Sequence, residues 1–174
     1  GCMRNFKTEG IIIKRRNYKD SDRVLTVLTK TGGKIYVRAT GVRKITSRRA
    51  GHIEPLNHSI LTLYQGNSFP VLTEAVTLDN FSVIKTDLGK VGIAYHLCEL
   101  VDGLCPENQE NGQVFSLLKS TLEKLEVGNY SSSEQSESRS AEDLGSRQTR
   151  TLSLVSDFEM QLLTILGYWN NANY

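Results

Sequence analysis

Lys14-Arg15-Arg16 is one dense run of positive charge, and the stretch carrying Arg38, Arg43, Lys44, Arg48 and Arg49 is a second. Guanidinium and ammonium groups gathered this closely suit one kind of chemistry. They neutralise phosphates, and each phosphate covered releases condensed counterions. Between the two runs, Lys34, Tyr36 and Arg38 alternate with Ile35, Val37 and Ala39. In a strand that spacing puts a cation–aromatic–cation row on one face: a ring for a base, with charges beside it for the backbone. Tyr18 is a second candidate ring. The competing reading of the same residues is a solvating basic face with an ordinary exposed tyrosine.

The charge is confined to one half. Residues 1–80 hold fourteen Lys and Arg against six Asp and Glu, whereas residues 81–174 hold seven against thirteen. The formal net charge of +2 therefore conceals two oppositely charged halves. A basic module of this size reads as a nucleic-acid surface.

Catalytic patterns are missing. There is no P-loop, no G-x-G-x-x-G, no G-x-S-x-G and no H-E-x-x-H. Asp20 and Asp22, two apart beside Ser21 and Arg23, could begin a Mg²⁺ site, but the basic half offers only Glu9, Glu54, Glu74 and Asp79 to complete it. The trio reads better as a turn, with Arg23 pairing to Asp20 or Asp22. Cys2, Cys98 and Cys105 include no C-x-x-C pair, and with His52, His58 and His96 they show no zinc spacing. Cys98 and Cys105 suit a core better than a metal or a disulfide, in a reducing compartment. No enzyme, cofactor or metal is expected. No apolar run is long enough to span a bilayer and no secretory pattern opens the chain, so a cytoplasmic protein is expected. Gly1-Cys2, ahead of Met3, carry no assigned role.

The elements that must position these residues change period near Asp79. Strands are predicted over Glu9–Tyr18, Arg23–Thr29, Lys34–Ala39, His58–Gln65 and Val71–Leu78, with Thr31-Gly32-Gly33 as a hairpin signal. Five short strands in a basic module predict a small OB-type barrel, with the basic link Thr40–Leu56 as its excursion. Beyond residue 80 the period becomes helical. One helix is predicted over about 87–104, its stripe made by Ile93, Leu97, Leu100 and Leu104 and widened by Val91, Tyr95 and Cys98. Gly89 and Gly92 weaken its first turns. A second follows Val114, Leu117, Leu118, Thr121, Leu122 and Leu125 behind a cap at Asn111, and a third follows Leu154, Val155, Phe158, Leu162, Ile165 and Leu166 up to Gly167. Gly128–Thr149, rich in Ser and Glu, reads as a mobile insertion. The fold class is α+β: an OB-fold over 1–80, then a helical domain over 81–174.

The residues also carry a resemblance. Glu9-Gly10-Ile11-Ile12-Ile13-Lys14-Arg15-Arg16-Asn17-Tyr18 and Ser21-Asp22-Arg23-Val24-Leu25-Thr26-Val27-Leu28-Thr29 resemble the opening of the bacterial RecO recombination-repair proteins. The likeness continues through Gly33-Lys34-Ile35, Gly41-Val42-Arg43-Lys44, Ser47-Arg48, Gly51, Pro55, Leu61-Thr62-Leu63-Tyr64 and Leu72-Thr73-Glu74-Ala75. It extends through the helix Ala94–Asp102 and the closing Phe158–Tyr168. Such proteins often continue into a four-cysteine zinc module. No cysteine follows Cys105 here, which points to a short form or a truncated chain.

The resemblance implies an OB-fold followed by helices and no catalytic turnover. It implies binding of single- and double-stranded DNA, annealing of complementary strands, and action with RecR, in many bacteria RecF, and single-strand-binding protein (SSB) to help load RecA. It also implies a place in the bacterial cytoplasm at the nucleoid. Under it the expected DNA surface is Lys14, Arg15, Arg16, Lys34, Tyr36, Arg38, Arg43, Lys44, Arg48 and Arg49. The acidic helical half would dock partners, at residues the sequence does not single out. The rivals are an OB-fold RNA-binding accessory protein and a protein–protein adaptor.

Overall fold

The computed structural model describes residues 4–43, 50–130 and 141–168. The chain divides into two compact units, residues 1–80 with 105–115, and residues 81–104 with 116–174.

The first unit is a strongly curved sheet of β1 (Arg4–Tyr18), β2 (Asp22–Thr29), β3 (Gly33–Ala39), β4 (His58–Gln65) and β5 (Val71–Asp79). Its order is β1-β2-β3-β5-β4, and it closes on itself through one parallel bridge, Arg38 to Val71. β1 begins at Arg4, earlier than the predicted Glu9, because it serves two neighbours. Residues Arg4 to Ile11 pair with β4, and Gly10 to Tyr18 pair with β2. The β2 register slips between Ile12 and Lys14, a bulge that lets one long strand bend from one partner to the other. Arg4–Thr8 lacks the apolar alternation of a half-buried strand, so only pairing with β4 identifies it.

Alternation along β1, β2 and β3 sends Ile12, Leu25, Val27, Val37 and Ala39 inward, where Leu61, Leu63 and Leu72 meet them. Val42 and Ile53, from the link between β3 and β4, are also buried in this core, and Ala50–His52 forms a 3₁₀ turn there. Removing one such branched side chain costs about 2–5 kcal/mol.

The 105–115 segment packs along the β2–β3 end of this unit. Asn108 N–H donates to the Lys34 carbonyl at 2.9 Å, Lys34 and Glu107 form a parallel bridge, and the Phe115 ring meets His58 edge-on at 5.8 Å. The approach is close enough that Gly33, with φ +72°, has no room for a side chain: a Cβ there would run into the Gln109 carbonyl.

The helices are α1 (Ser82–Thr86), α2 (Leu88–Leu104), α3 (Gly112–Val127) and α4 (Ala141–Ile165). α3 starts behind Asn111, whose Oδ1 accepts the Val114 N–H at 3.3 Å, and its predicted stripe is buried. α1 has no sequence signal and no side-chain cap of its own; the Glu126 carboxylate accepts Val83 N–H and Ile84 N–H at 2.9 Å each. The buried face of α2 is turned from the predicted stripe: Ile93, Ala94, Leu97, Cys98 and Val101 are covered, while Leu100 and Leu104 are half-buried and Tyr95 is exposed. Lys90 can lie on the covered face because its Nζ donates to the Glu126 carbonyl at 3.2 Å, near the negative end of α3.

α4 is longer than its predicted stripe. Residues 141–149, read as part of an insertion, form its first turns, and Arg147 and Thr151 prolong the face of Leu154, Phe158 and Leu162. At its end Gly167, with φ +83°, donates to Thr164 and Tyr168 donates to Leu163, a Schellman cap. Residues 131–140 of the expected insertion lie outside the described residues. Cys98 and Cys105 are both buried and are not disulfide-bonded, and burial pushes the Cys98 thiol up to about 12. Among the described residues no helix is long and apolar enough to cross a membrane. The architecture is α+β, a five-stranded sheet followed by helices.

Candidate nucleic-acid interface

Register brings Lys14 and Arg16 into line with Tyr36 and Arg38. Lys14 pairs with Thr26, which pairs with Tyr36; Arg16 pairs with Val24, which pairs with Arg38. Residues directly opposite in a sheet share a face, so two adjacent rows form on the outside of β1–β2–β3. One row reads Lys14–Thr26–Tyr36 and the next Arg16–Val24–Arg38. Lys14 and Arg16 are exposed, Tyr36 and Arg38 half-buried. Val24 is only 3% exposed although it lies on this outer face, flanked by the two arginines.

The row beyond Lys14 and Tyr36 is different. It holds Ile11, Leu28 and Lys34, and Lys34 is 6% exposed where Glu107 and Asn108 run beside β3. Alternation correctly predicts the face of Lys34, but that end of the face is covered. A lysine there is not part of the open surface.

Arg15 falls in register with Leu25 and Val37, the row that points to the core, yet it is exposed. It forms a separate cationic group with Arg23 and Arg43. Partial burial, and then the charges of Arg15 and Arg43, lower the Arg23 pKa. Arg43 is anchored: its N–H bonds the Ser21 carbonyl at 3.0 Å and its Nη1 the Lys19 carbonyl at 3.1 Å. Lys44, Arg48 and Arg49 lie outside the described residues.

Of the acidic pair near Ser21, Asp22 is engaged on both oxygens. Asp22 Oδ2 accepts from Arg38 Nη2 at 2.8 Å and Nε at 3.2 Å, and Oδ1 accepts the Gly41 N–H at 2.8 Å. The Gly41 bond and then the Arg38 guanidinium hold this carboxyl below the ordinary aspartate value of 3.8. The predicted partner Arg23 instead donates to Asn17 Oδ1 at 3.4 Å, because Arg38 comes across the sheet to reach Asp22. Among the described residues no group of three or more His, Cys, Asp or Glu side chains is placed to hold a metal.

Tyr18 is not an open platform: Arg38 sits 5.3 Å and Lys19 5.4 Å from its ring centroid. Tyr36 is better placed, paired with Phe69 at 6.3 Å and 59°. Phe69 is half exposed and comes from the loop between β4 and β5, where no strand phase marks an aromatic as inward or outward. The sequence reading also missed Arg4 and Lys7, exposed on the early half of β1.

The chain has recognisable relatives. Residues 3–81 match the family model described as recombination protein O N terminal, and residues 85–137 match recombination protein O C terminal. The chain belongs to the RecO family. It is 39% identical over 165 residues to the DNA repair protein RecO of Roseiflexus sp. (strain RS-1), covering 95% of this chain and 51% of that protein. The RecO of Dehalococcoides mccartyi (strain ATCC BAA-2100 / JCM 16839 / KCTC 5957 / BAV1) is 37% identical over 124 residues, 71% of this chain and 49% of its own. That of Heliobacterium modesticaldum (strain ATCC 51547 / Ice1) is 35% identical over 125 residues, 72% and 45% of the two chains. The chain thus spans about half the length of these RecO relatives. Within the RecO family, the five-stranded sheet over the first match and the helices after it are an OB-fold and a helical part.

Proposed function

We propose that this chain is a non-catalytic, DNA-binding recombination mediator. It binds single- and double-stranded DNA, anneals complementary strands and, with RecR, RecF and SSB, helps load RecA. The observation that carries the reading is the pair of neighbouring rows, Lys14–Thr26–Tyr36 and Arg16–Val24–Arg38, beside the Arg15–Arg23–Arg43 group. Such a surface meets phosphates from two sides of one strand edge and reads no base sequence. Two complementary strands held this way are screened from one another with their base edges free, which is the physical requirement for annealing.

The test is titration of fluorescent single-stranded DNA at several salt concentrations, beside Lys14→Glu/Arg16→Glu. Tight binding with a steep salt slope, largely lost in the variant, supports the reading. No binding at low salt overturns it, and tighter binding to a matched RNA competitor would move the assignment to an RNA-binding module.

A further inference from the structure

Among the described residues, β3 has an edge one residue long that no main-chain bond closes. Arg38 N–H donates to the Pro70 carbonyl at 2.9 Å, and the Lys34 carbonyl accepts from Asn108 N–H at 2.9 Å, both on the side away from β2. Tyr36 stands two residues from each, so its N–H and C=O point the same way. The β3–β5 register contains Arg38 and Val71 alone, and among the described residues no main-chain bond closes this edge at Tyr36. In an extended residue these two groups lie side by side, a donor next to an acceptor. Tyr36 also lines a cleft of about 380 Å³, together with Phe6, Lys7, Phe69, Glu107 and Asn108 among others.

Three features narrow the occupant. The free edge is bounded at one end by Asn108 and at the other by Pro70, so an extended peptide has no length of strand to pair with. One cation and one anion, Lys7 and Glu107, line the cleft, which gives no net attraction for a phosphate; Glu107 Oε1 also accepts from Asn108 Nδ2 at 3.3 Å. The tilted Tyr36–Phe69 pair offers ring faces, and Phe69 is 51% exposed. A flat group carrying an adjacent donor and acceptor fits all three. The edge of a nucleobase is such a group.

We propose that this cleft holds one unstacked base of single-stranded DNA, its edge on the Tyr36 main chain and its face on Phe69. The inference rests on the DNA-binding reading and deepens it. Lys14 shares the Tyr36 row, and Arg38 follows two residues on, so the flanking phosphates lie on cations outside the cleft. A duplex keeps its bases stacked on each other and cannot use the site. The subsite gives a strand preference, and its stacking half tolerates any base.

The experiment uses the full chain and a single-stranded oligonucleotide bearing one 5-iododeoxyuridine. Irradiation crosslinks the base, with the adduct mapped to Tyr36 or Phe69. Phe69→Ala weakens single-strand binding about tenfold, the scale of one lost base–aromatic stack, and changes duplex binding no more than twofold. Phe69→Trp restores the affinity. Steeply salt-dependent binding with adducts elsewhere and an unchanged Phe69→Ala affinity overturns the base subsite and leaves the DNA reading standing. Absence of any DNA binding at low salt overturns both.

Discussion

Arg38 Nη2 lies 2.8 Å from Asp22 Oδ2, so a cation at the centre of the proposed DNA surface is already paired with a carboxylate. Asp22 is engaged on both oxygens, and its second bond, to Gly41 N–H, ties the turn after β3 to the start of β2. Asp22→Asn keeps an oxygen for Gly41 and releases the charge of Arg38. We expect single-stranded DNA to bind several-fold more tightly at low salt. The slope of log K against log salt should steepen by about 0.7, one phosphate's worth. Titration at three salt concentrations measures both, and an unchanged slope would remove Arg38 from the interface.

Acid should loosen the first unit through two carboxylates. Asp22 is held below 3.8 by Gly41 and Arg38. Burial alone would raise Glu9, but His58, whose Nε2 lies 2.7 Å away, and then Lys30 carry it below 4.5. A depressed carboxylate contributes stability that is present above its unfolded value and is lost as pH falls through the folded one. Urea unfolding at pH 7, 4.5 and 3 should therefore show stability falling below about pH 4.5. The fall is shallower in Asp22→Asn/Glu9→Gln; equal slopes in the two proteins would contradict the assignment.

Two glycines should respond in opposite directions. Gly33→Ala forces a left-handed alanine against the Gln109 carbonyl and destabilises the protein by about 1–3 kcal/mol. Gly92→Ala, exposed in the second turn of α2 with open space around it, stabilises it by about 0.5–1 kcal/mol. Denaturant midpoints of the two variants check both signs.

Glu126→Ala removes the acceptor for two α1 donors, Val83 N–H and Ile84 N–H. Hydrogen bonds to a charged acceptor of this kind contribute about 1.5–3 kcal/mol each when buried and less here, where one side is open to water. We expect amide exchange to accelerate at Val83 and Ile84 first, with the protection of α2 retained. Uniform acceleration across α2 would mean that α1 is not held by this carboxylate.

The α+β order, four of the five strands to within about a residue, the helical stripes of α3 and α4, and the concentration of cations on one half were all legible in the residues. Periodicity and charge are properties of neighbours in the chain, so they survive without coordinates. Alternation on β3 was enough to place Tyr36 and Arg38 on one face and Val37 and Ala39 on the other. Pairing decided the rest. The early half of β1 is a strand because β4 offers it hydrogen bonds, and the α2 face turned toward Ala94 and Val101 because burial follows the neighbours that cover it. Lys34 and Arg38 are equivalent in the strand period, yet the 105–115 segment covers one and Asp22 claims the other. Tyr36 lies between two main-chain bonds, Arg38 to Pro70 and Asn108 to Lys34, whose partners come from distant parts of the chain. A hydrogen bond between residues far apart in sequence leaves no local period, which is why tertiary structure alone could locate the cleft.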